Sequence, residues 1–321
     1  MRLIETLTGP SLAPSSCAMG MFDGVHTGHR MVLENALREA RANGWMSVAF
    51  SFANHPQALL SATPTQLLSS REERLEAFAA MGFDAAVILP FDEAMRAIEA
   101  PVFVQRILRG FLNVRSVSVG YDYRFGAGRR GDCDYLRQCA AREGFQAQIV
   151  DPVRAPDADG HAIVSSTLIR KLLNFGDVKQ ANSLLGQPYA LTGRVTAGVQ
   201  RGRQLGFPTA NLDVAPQRLI PAIGAYAAQA RVCGKTYRAV CNIGHAPTFE
   251  DAFPRRVEAH LLDYDGPSFY DETMRIAFLA RLRDERAFPS ADALVEQIRR
   301  DCASARALTD DASVVAHPEH A

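Results

Sequence analysis

Along the first half of the chain, short apolar and β-branched runs alternate with segments whose apolar positions recur every three to four residues. The runs at 17–22 (CAMGMF), 45–52 (WMSVAFSF), 85–90 (AAVILP), 114–120 (VRSVSVG) and 145–151 (FQAQIVD) predict strands. Between the first two, MVLENALREARANG puts Val32, Ala36, Leu37 and Ala40 on one helical face and ends at Gly44, a suitable C-terminal stop. A second helix is predicted over 70–81, where Ser70 and Glu73 form a capping-box pattern and Gly82 follows. A third, over 132–143, stops at Gly144. Strand and helix in alternation predict an α/β domain: a parallel sheet with helices on both faces.

From 189 to 282 the period changes. YALTGRVTAGV, AYAAQARV, TYRAVCNI, RVEAHLLDY and TMRIAFLARLR alternate in polarity with Gly and Pro between them, and no long helical pattern appears until Ser290–Ser304. This predicts an antiparallel β domain, a small barrel closed by a terminal helix. The boundary is placed at Gly186-Gln187-Pro188, giving domains over 1–186 and 187–306, with 307–321 expected as a disordered tail.

Composition narrows the function classes. A chain of 321 residues with 47% hydrophobic and 22% charged residues supports two buried cores. The 35 basic and 35 acidic side chains cancel and form no long run of either sign, so the basic footprint of a nucleic-acid binder is missing. Six cysteines without C-x-x-C spacing read as free thiols in a reducing compartment. No secretory h-region and no apolar stretch near 18 residues occurs. The expectation is a cytoplasmic protein with small-molecule partners, no nucleic-acid or membrane partner, and a monomeric or weakly homo-oligomeric state.

The segment GMFDGVHTGHR (20–30) follows the first predicted strand and opens the first helix. Thr27 is expected to cap that helix, whose unpaired N–H groups and partial positive charge suit an anion. Gly24 and Gly28 allow close backbone approach, and His26 and His29 offer donors to a pentacoordinate phosphorus. The bland alternative is a helix start that happens to be rich in solvated or capping histidines. In VSSTLIR (164–170), hydroxyls at a helix start and an arginine one turn later read as a second anion clamp, suited to a triphosphate.

Residues 126–131 match G-x-G-x-x-G, but Tyr121–Phe125 separate them from the strand. A flexible loop over a nucleotide pocket is therefore expected in place of a dinucleotide fingerprint. No Walker A sequence occurs. In the second half, GFPTANL (206–212) has two readings: a turn whose Thr and Asn satisfy local backbone, or a pair of oxygen ligands, Thr209 and Asn211, for Mg²⁺ on nucleotide phosphates.

The stretch G-x-F-D-G-V-H-x-G-H resembles the signature of the HxGH nucleotidylyltransferases, whose modules are Rossmann-like. Its form, Phe22-Asp23-Gly24-Val25, resembles the adenylyltransferase module of the prokaryotic bifunctional riboflavin kinase/FMN adenylyltransferase (FAD synthetase) family. Further segments match in order: Phe52-x-x-His55-Pro56, with Asn54 in place of a proline; Val119–Gly126; Val164–Arg170; the Pro208-Thr209-Ala210-Asn211 motif; Asn242–Phe249, where Ala246 replaces a common arginine; and Val257–Asp263. Arg255 or Arg256 is expected to cover for that arginine. Leu282–Phe288 and Gln297–Asp301 continue the pattern.

The resemblance implies a division of labour among these residues. His26, His29 and Arg170 would be catalytic in adenylyl transfer. Gly20, Phe22, Asp23, Gly24, Gly28, His55, Ser165, Ser166 and Thr167 would contact the nucleotide, and Asp122, Arg124 and Phe125 the flavin. In the kinase module, Gly202, Arg203, Gly206 and Pro208 would contact ATP, Thr209 and Asn211 would hold Mg²⁺, and Glu258 would be the base. Strand alternation is expected to put Glu258, His260 and Leu262 on one face.

The implied function is phosphorylation of riboflavin to FMN by ATP, then transfer of AMP from a second ATP to FMN, giving FAD and pyrophosphate. Both steps would require Mg²⁺. Three alternatives stand beside it. The chain could be an HxGH transferase for another phosphorylated metabolite, which the attached P-T-A-N module argues against. It could have one active module only. It could also be a flavin-binding regulator, although His29, Thr209, Asn211 and Glu258 are all present.

Overall fold

The computed structural model describes residues 1–60, 65–155, 162–197, 205–245 and 255–309. They fall into two units, Met1–Ser166 and Thr167–Ala321.

In the first unit, β1 (Arg2–Ile4), β2 (Ser15–Met19), β3 (Met46–Phe52), β4 (Ala85–Leu89), β5 (Val114–Gly120) and β6 (Gln146–Val150) form one sheet in the order β1-β4-β3-β2-β5-β6. Every pairing is parallel. Its inner strands are buried on both faces, which explains why β4 reads AAVIL without alternation. Cys17 and Met19 join a core cluster with Val48, Phe50, Val87 and Leu108, whereas Ala18 joins another with Leu33, Ala36 and Phe78. Successive side chains point to opposite faces, so these are the cores on either side of the sheet.

Helix α1 (Thr27–Asn43) buries Val32, Leu33, Ala36, Leu37 and Ala40, and Gly44 ends it in the left-handed region at φ 66°. Helix α2 (Arg71–Met81) starts with a complete capping box: Glu73 N donates to Ser70 Oγ at 3.1 Å and Ser70 N to Glu73 Oε2 at 2.9 Å. Helix α3 (Cys133–Glu143) is capped by Asp132 and closed by Gly144. Three features differ from expectation. The run at 17–22 is a strand only as far as Met19, because Phe22 turns left-handed. The edge strand β1 is too short to leave a pattern. A π-helical segment, Phe103–Phe111, packs five apolar side chains under β2 and β5.

The second unit begins with α4 (Ser166–Phe175), apart from its first residue, and α5 (Val178–Leu185). Strands β7 (Tyr189–Thr196), β8 (Ala210–Val214), β9 (Gly224–Val232), β10 (Lys235–His245), β11 (Arg255–Leu261) and β12 (Thr273–Arg283) close a barrel in the order β10-β11-β8-β7-β12-β9, all antiparallel. The helices before Gly186 group with this barrel because Asn182 is bonded into it: its Nδ2 donates to Phe278 O at 2.8 Å and its Oδ1 accepts from Tyr189 N at 2.7 Å. Helix α6 (Ala291–Thr309) starts at Ser290, whose Oγ accepts from Ala293 N at 3.2 Å. It runs past Ser304, so 307–309 are helical where a tail was expected, and 310–321 lie outside the described residues. Among the described residues no helix is long and apolar enough to cross a membrane. All six cysteines are free thiols.

Candidate active sites

The chain leaves β2 through α1 to reach β3 on one side, while β5 lies on the other. That reversal of strand order opens a crevice at the carboxyl ends of β2 and β5, where open α/β sheets bind ligands. The GMFDGVHTGHR segment leaves β2 there, and the Tyr121–Gly126 segment leaves β5.

Between β2 and α1 the backbone is strained. Phe22 (φ 52°), Gly24 (φ 84°) and Val25 (φ 42°) are all left-handed, closed by a 3.0 Å bond from Val25 N to Phe22 O. A β-branched residue rarely adopts that conformation, so the surroundings must enforce it. Asp23, only 1% exposed, does much of this. Its Oδ1 accepts from Leu68 N and Ser69 N, each at 2.9 Å, and from Ser69 Oγ at 3.2 Å. Gly24 N donates to Ser69 Oγ at 2.8 Å, and Ser166 Oγ donates to Asp23 O at 3.0 Å. The Asp23 carboxylate, the Gly24 N–H and the Ser166 hydroxyl, all expected near the nucleotide, each bond to protein here and hold the loop.

The cap is His26, where Thr27 was expected. His26 is extended (φ −66°, ψ 171°), and its Nδ1 accepts from His29 N at 3.2 Å. A neutral imidazole accepting at Nδ1 carries its proton on Nε2. The His26 and His29 rings stack with centroids 3.5 Å apart and planes 16° from parallel, and the Phe22 ring meets His29 edge-on at 5.4 Å. A Cβ at Gly28 would sit 3.3 Å from the His26 ring, and one at Gly20 would sit 2.9 Å from the Phe22 ring. Both glycines make room for the rings, so the imidazole pair, beside the positive end of α1, is the feature the loop is built around.

At the β3 exit, Asn54 stands in place of a proline and does work a proline cannot. Its Nδ2 donates to Phe91 O at 2.9 Å and its Oδ1 accepts from Phe91 N at 2.8 Å, tying the β3 exit to the β4 exit. His55 follows, half-buried, with Nδ1 accepting from Gln57 N at 3.2 Å. At the β5 exit, Asp122 and Arg124 are exposed, and Arg124 pairs with Asp132 at 2.8 Å. Phe125, expected beside the flavin, is instead a core residue, 6% exposed and packed on Phe103, Tyr123 and Tyr135. The 126–131 loop is anchored where a flexible one was expected: Phe125 and Gly131 exchange backbone bonds at 3.0 and 2.9 Å, and Ala127 N reaches Ile98 O at 2.7 Å. Ser165 precedes α4, while Thr167, exposed, and Arg170, half-buried, lie on it in the second unit.

In the barrel, Glu258 of β11 pairs in register with Asn211 of β8 on one side and with Asn242 of β10 on the other. Val257, Ala259 and Leu261 are buried while Glu258 and His260 are half-buried, so the Asn242–Glu258–Asn211 row lies on the outer face. Leu262 departs from that face: β11 ends at Leu261, and Leu262 packs with Cys302 and Ala305. His260 Nδ1 lies 2.9 Å from Pro208 O, and the Phe207 ring meets His260 edge-on at 5.4 Å. These contacts seat the turn that presents Gly206, Pro208 and exposed Thr209.

Arg256 Nη1 lies 3.3 Å from Glu258 Oε1, whereas Arg255 donates to the Ile220 and Pro221 carbonyls; of the two arginines, Arg256 is the one beside the carboxylate. Burial pushes the nearby Cys241 thiol up, and the Glu258 charge adds to this. The sequence placed Glu285 in the matching Leu282–Phe288 segment but gave it no role: its Oε1 would lie 2.8 Å from a Cβ at Gly244, with Asn242 Nδ2 at 3.3 Å, so a second carboxylate covers that bare backbone. Gly202, Arg203 and Ala246 lie outside the described residues. Among the described residues no cluster of three or more His, Cys, Asp or Glu forms a metal cage. Thr209, Asn211 and Glu258 offer oxygen donors, which fit a hard cation that keeps waters and phosphate oxygens in its shell.

Residues 10–168 match the FAD synthetase family and residues 185–309 the riboflavin kinase family. The chain is 35% identical to a bifunctional riboflavin kinase/FMN adenylyltransferase of Pseudomonas fluorescens, covering 90% of this chain and 91% of that one. It is 35% identical to a protein of the same description from Escherichia coli K12, covering 95% and 97% of the two chains. A crystal structure from Streptococcus pneumoniae, described as a macrolide-efflux protein, matches with a TM-score of 0.84 and 29% identity over 95% of this chain and 98% of that one. The strand–loop–helix carrying the paired histidines and the barrel carrying the Asn211–Glu258 pair fall within the two matched segments, and the chain belongs to the bifunctional riboflavin kinase/FMN adenylyltransferase family.

Proposed function

We propose that the loop of His26 and His29 is where FMN is adenylylated, and that the Asn211–Glu258 pair is where riboflavin is phosphorylated. An FMN phosphate oxygen attacks the α-phosphorus of ATP, the bond to the β-phosphate oxygen breaks, and pyrophosphate leaves. The nucleophile is already anionic, so no general base is needed; positioning and charge neutralisation carry the rate. His26 and His29 donate to the α-phosphate oxygens, and Arg170, by its place in the family's motif, adds positive charge at the triphosphate. His55, Ser165 and Thr167 line the nucleotide, and Asp122 and Arg124 face the flavin. The stacked imidazole pair at the N-terminus of α1 is the observation that carries this reading.

Riboflavin differs, because its ribityl hydroxyl is neutral and must lose a proton as the new P–O bond forms. Glu258 accepts that proton while the bond from the γ-phosphorus to its bridging oxygen breaks and ADP leaves, and Arg256 holds the carboxylate in place. Thr209 and Asn211 would hold Mg²⁺, which when bound neutralises charge on the transferring phosphate. Gly202, Arg203, Gly206 and Pro208 contact ATP. The free thiols fit a cytoplasmic enzyme, and we assign it a monomeric or weakly homo-oligomeric state.

The test is incubation of pure protein with riboflavin, ATP and Mg²⁺, with the flavins resolved chromatographically. FMN should appear first and FAD after it, and chelating the divalent cation should stop both steps. His29→Ala should halt the sequence at FMN. Glu258→Ala should block riboflavin phosphorylation yet still convert supplied FMN. If Glu258→Ala phosphorylates riboflavin normally, the base is elsewhere.

A further inference from the structure

Arg74 is the largest fully buried side chain among the described residues. It lies in the first turn of α2, outside every motif that carries the resemblance, and is 0% exposed. Among the described residues no carboxylate forms an ion pair with it; all its short polar contacts are to carbonyl and hydroxyl oxygens. Nη1 donates to Met21 O at 3.0 Å, Ser51 Oγ at 2.9 Å and Phe52 O at 2.9 Å, Nη2 to Ala53 O at 3.2 Å, and Nε to Ser70 O at 3.4 Å. Ser51 Oγ donates in turn to Met21 O at 2.9 Å. Burial lowers the guanidinium's affinity for its proton, while the Asp23 charge works in the opposite sense.

Those acceptors are not scattered. Met21 directly precedes left-handed Phe22, and Ala53 directly precedes Asn54 and His55. One guanidinium therefore grips the backbone at the exits of both β2 and β3. Just ahead of α2, Leu68 and Ser69 grip Asp23 and Gly24. The capping box at Ser70 and Glu73 fixes the start of the helix from which Arg74 projects. An apolar side chain of equal volume would pack this position without burying a charge, so packing alone does not account for an arginine here. A planar fork of five donors does, because it meets carbonyls on two strands at once.

We propose that Arg74 is a positioning residue for adenylyl transfer, holding the His26–His29 loop and the His55 turn in one fixed relation through the Met21, Phe52 and Ala53 carbonyls. It touches no substrate. The proposal rests on the reading that the His26–His29 loop is the adenylyl-transfer site. Displacement of a catalytic group by about 1 Å costs on the order of 10²-fold in rate, and that is the expected scale here.

The test compares Arg74→Met, Arg74→Lys, Ser51→Ala and His29→Ala in the full chain. FMN adenylylation is followed as kcat and KM, riboflavin phosphorylation is measured in the same preparations, and thermal unfolding reports the folded fraction. Arg74→Met should lose about 10²-fold in kcat for adenylylation, with KM for ATP changed by less than about threefold and kinase activity intact. Arg74→Lys, which keeps the charge but loses the planar fork, should recover only a small part of that loss. Ser51→Ala, which removes the hydroxyl relay to Met21, should lower kcat without changing the folded fraction. A folded Arg74→Met with normal kcat, or a loss matching its unfolded fraction, overturns the proposal. If Arg74→Met does not fold, Ser51→Ala decides, and a normal kcat there overturns it equally. Normal FAD formation by His29→Ala would instead overturn the assignment of the adenylyl-transfer site.

Discussion

Glu258 and Asn211 face each other in register across β11 and β8, although they lie 47 positions apart in the sequence. Groups that act as a unit are non-additive when removed. Asn211→Ala and Glu258→Gln should each lower riboflavin phosphorylation by about 10²-fold or more, and the double variant should be little worse than the poorer single one. Adenylylation of supplied FMN should be unaffected in all three. Initial rates of each half-reaction measure this, and multiplicative losses in the double variant would show that the two side chains act independently.

His26 caps α1 through its ring nitrogen, whereas His29 contributes only its backbone N–H to that cap. His26→Ala should therefore cost about 1 kcal/mol of stability, lowering the melting temperature of the first unit by a few degrees. His26→Asn should restore the cap without restoring FAD formation. His29→Ala should abolish FAD formation with a smaller thermal shift. Melting curves read beside FMN-to-FAD rates separate the two roles.

The exchange between Asn54 and the Phe91 backbone gives a prediction about stability. Asn54→Ala leaves a half-buried N–H and C=O without these partners, at a cost of about 1–3 kcal/mol. Asn54→Pro, the residue of the family's pattern, should also lose the tie. Denaturant unfolding should register both losses, with the kinase rate preserved.

Asp84 carries a pH signature. The Ser47 N–H and hydroxyl donate to its carboxylate at 2.8 and 2.7 Å and hold it below the usual carboxylate range. The folded state thus binds this proton less readily than the unfolded chain. The stabilisation is complete above the unfolded value, about 4, and is lost as the pH falls through the lower folded value. The melting temperature should drop across that acidic window, and Asp84→Asn should flatten part of the drop. An unchanged pH profile in Asp84→Asn would rule this carboxylate out as a contributor.

Local patterns in the chain already specified a great deal. The helix stops at Gly44, Gly82 and Gly144, the Ser70–Glu73 capping box and the period-two segments of the barrel lie where the sequence places them, because each depends on neighbours a few residues away. The two modules and their chemistry were legible for the same reason: HTGH and PTAN are contiguous stretches. Only the tertiary structure decided which protein groups the members of those stretches bond to. Asp23, Gly24, Ser166 and Phe125 bond to or pack on protein, His26 displaces Thr27 as the cap, Arg74 enters from outside the residues singled out, and Glu285 gains a place the pattern of Leu282–Phe288 did not give it. Strand register and buried hydrogen bonding join residues far apart in the chain, and no local periodicity encodes which distant partner completes a contact.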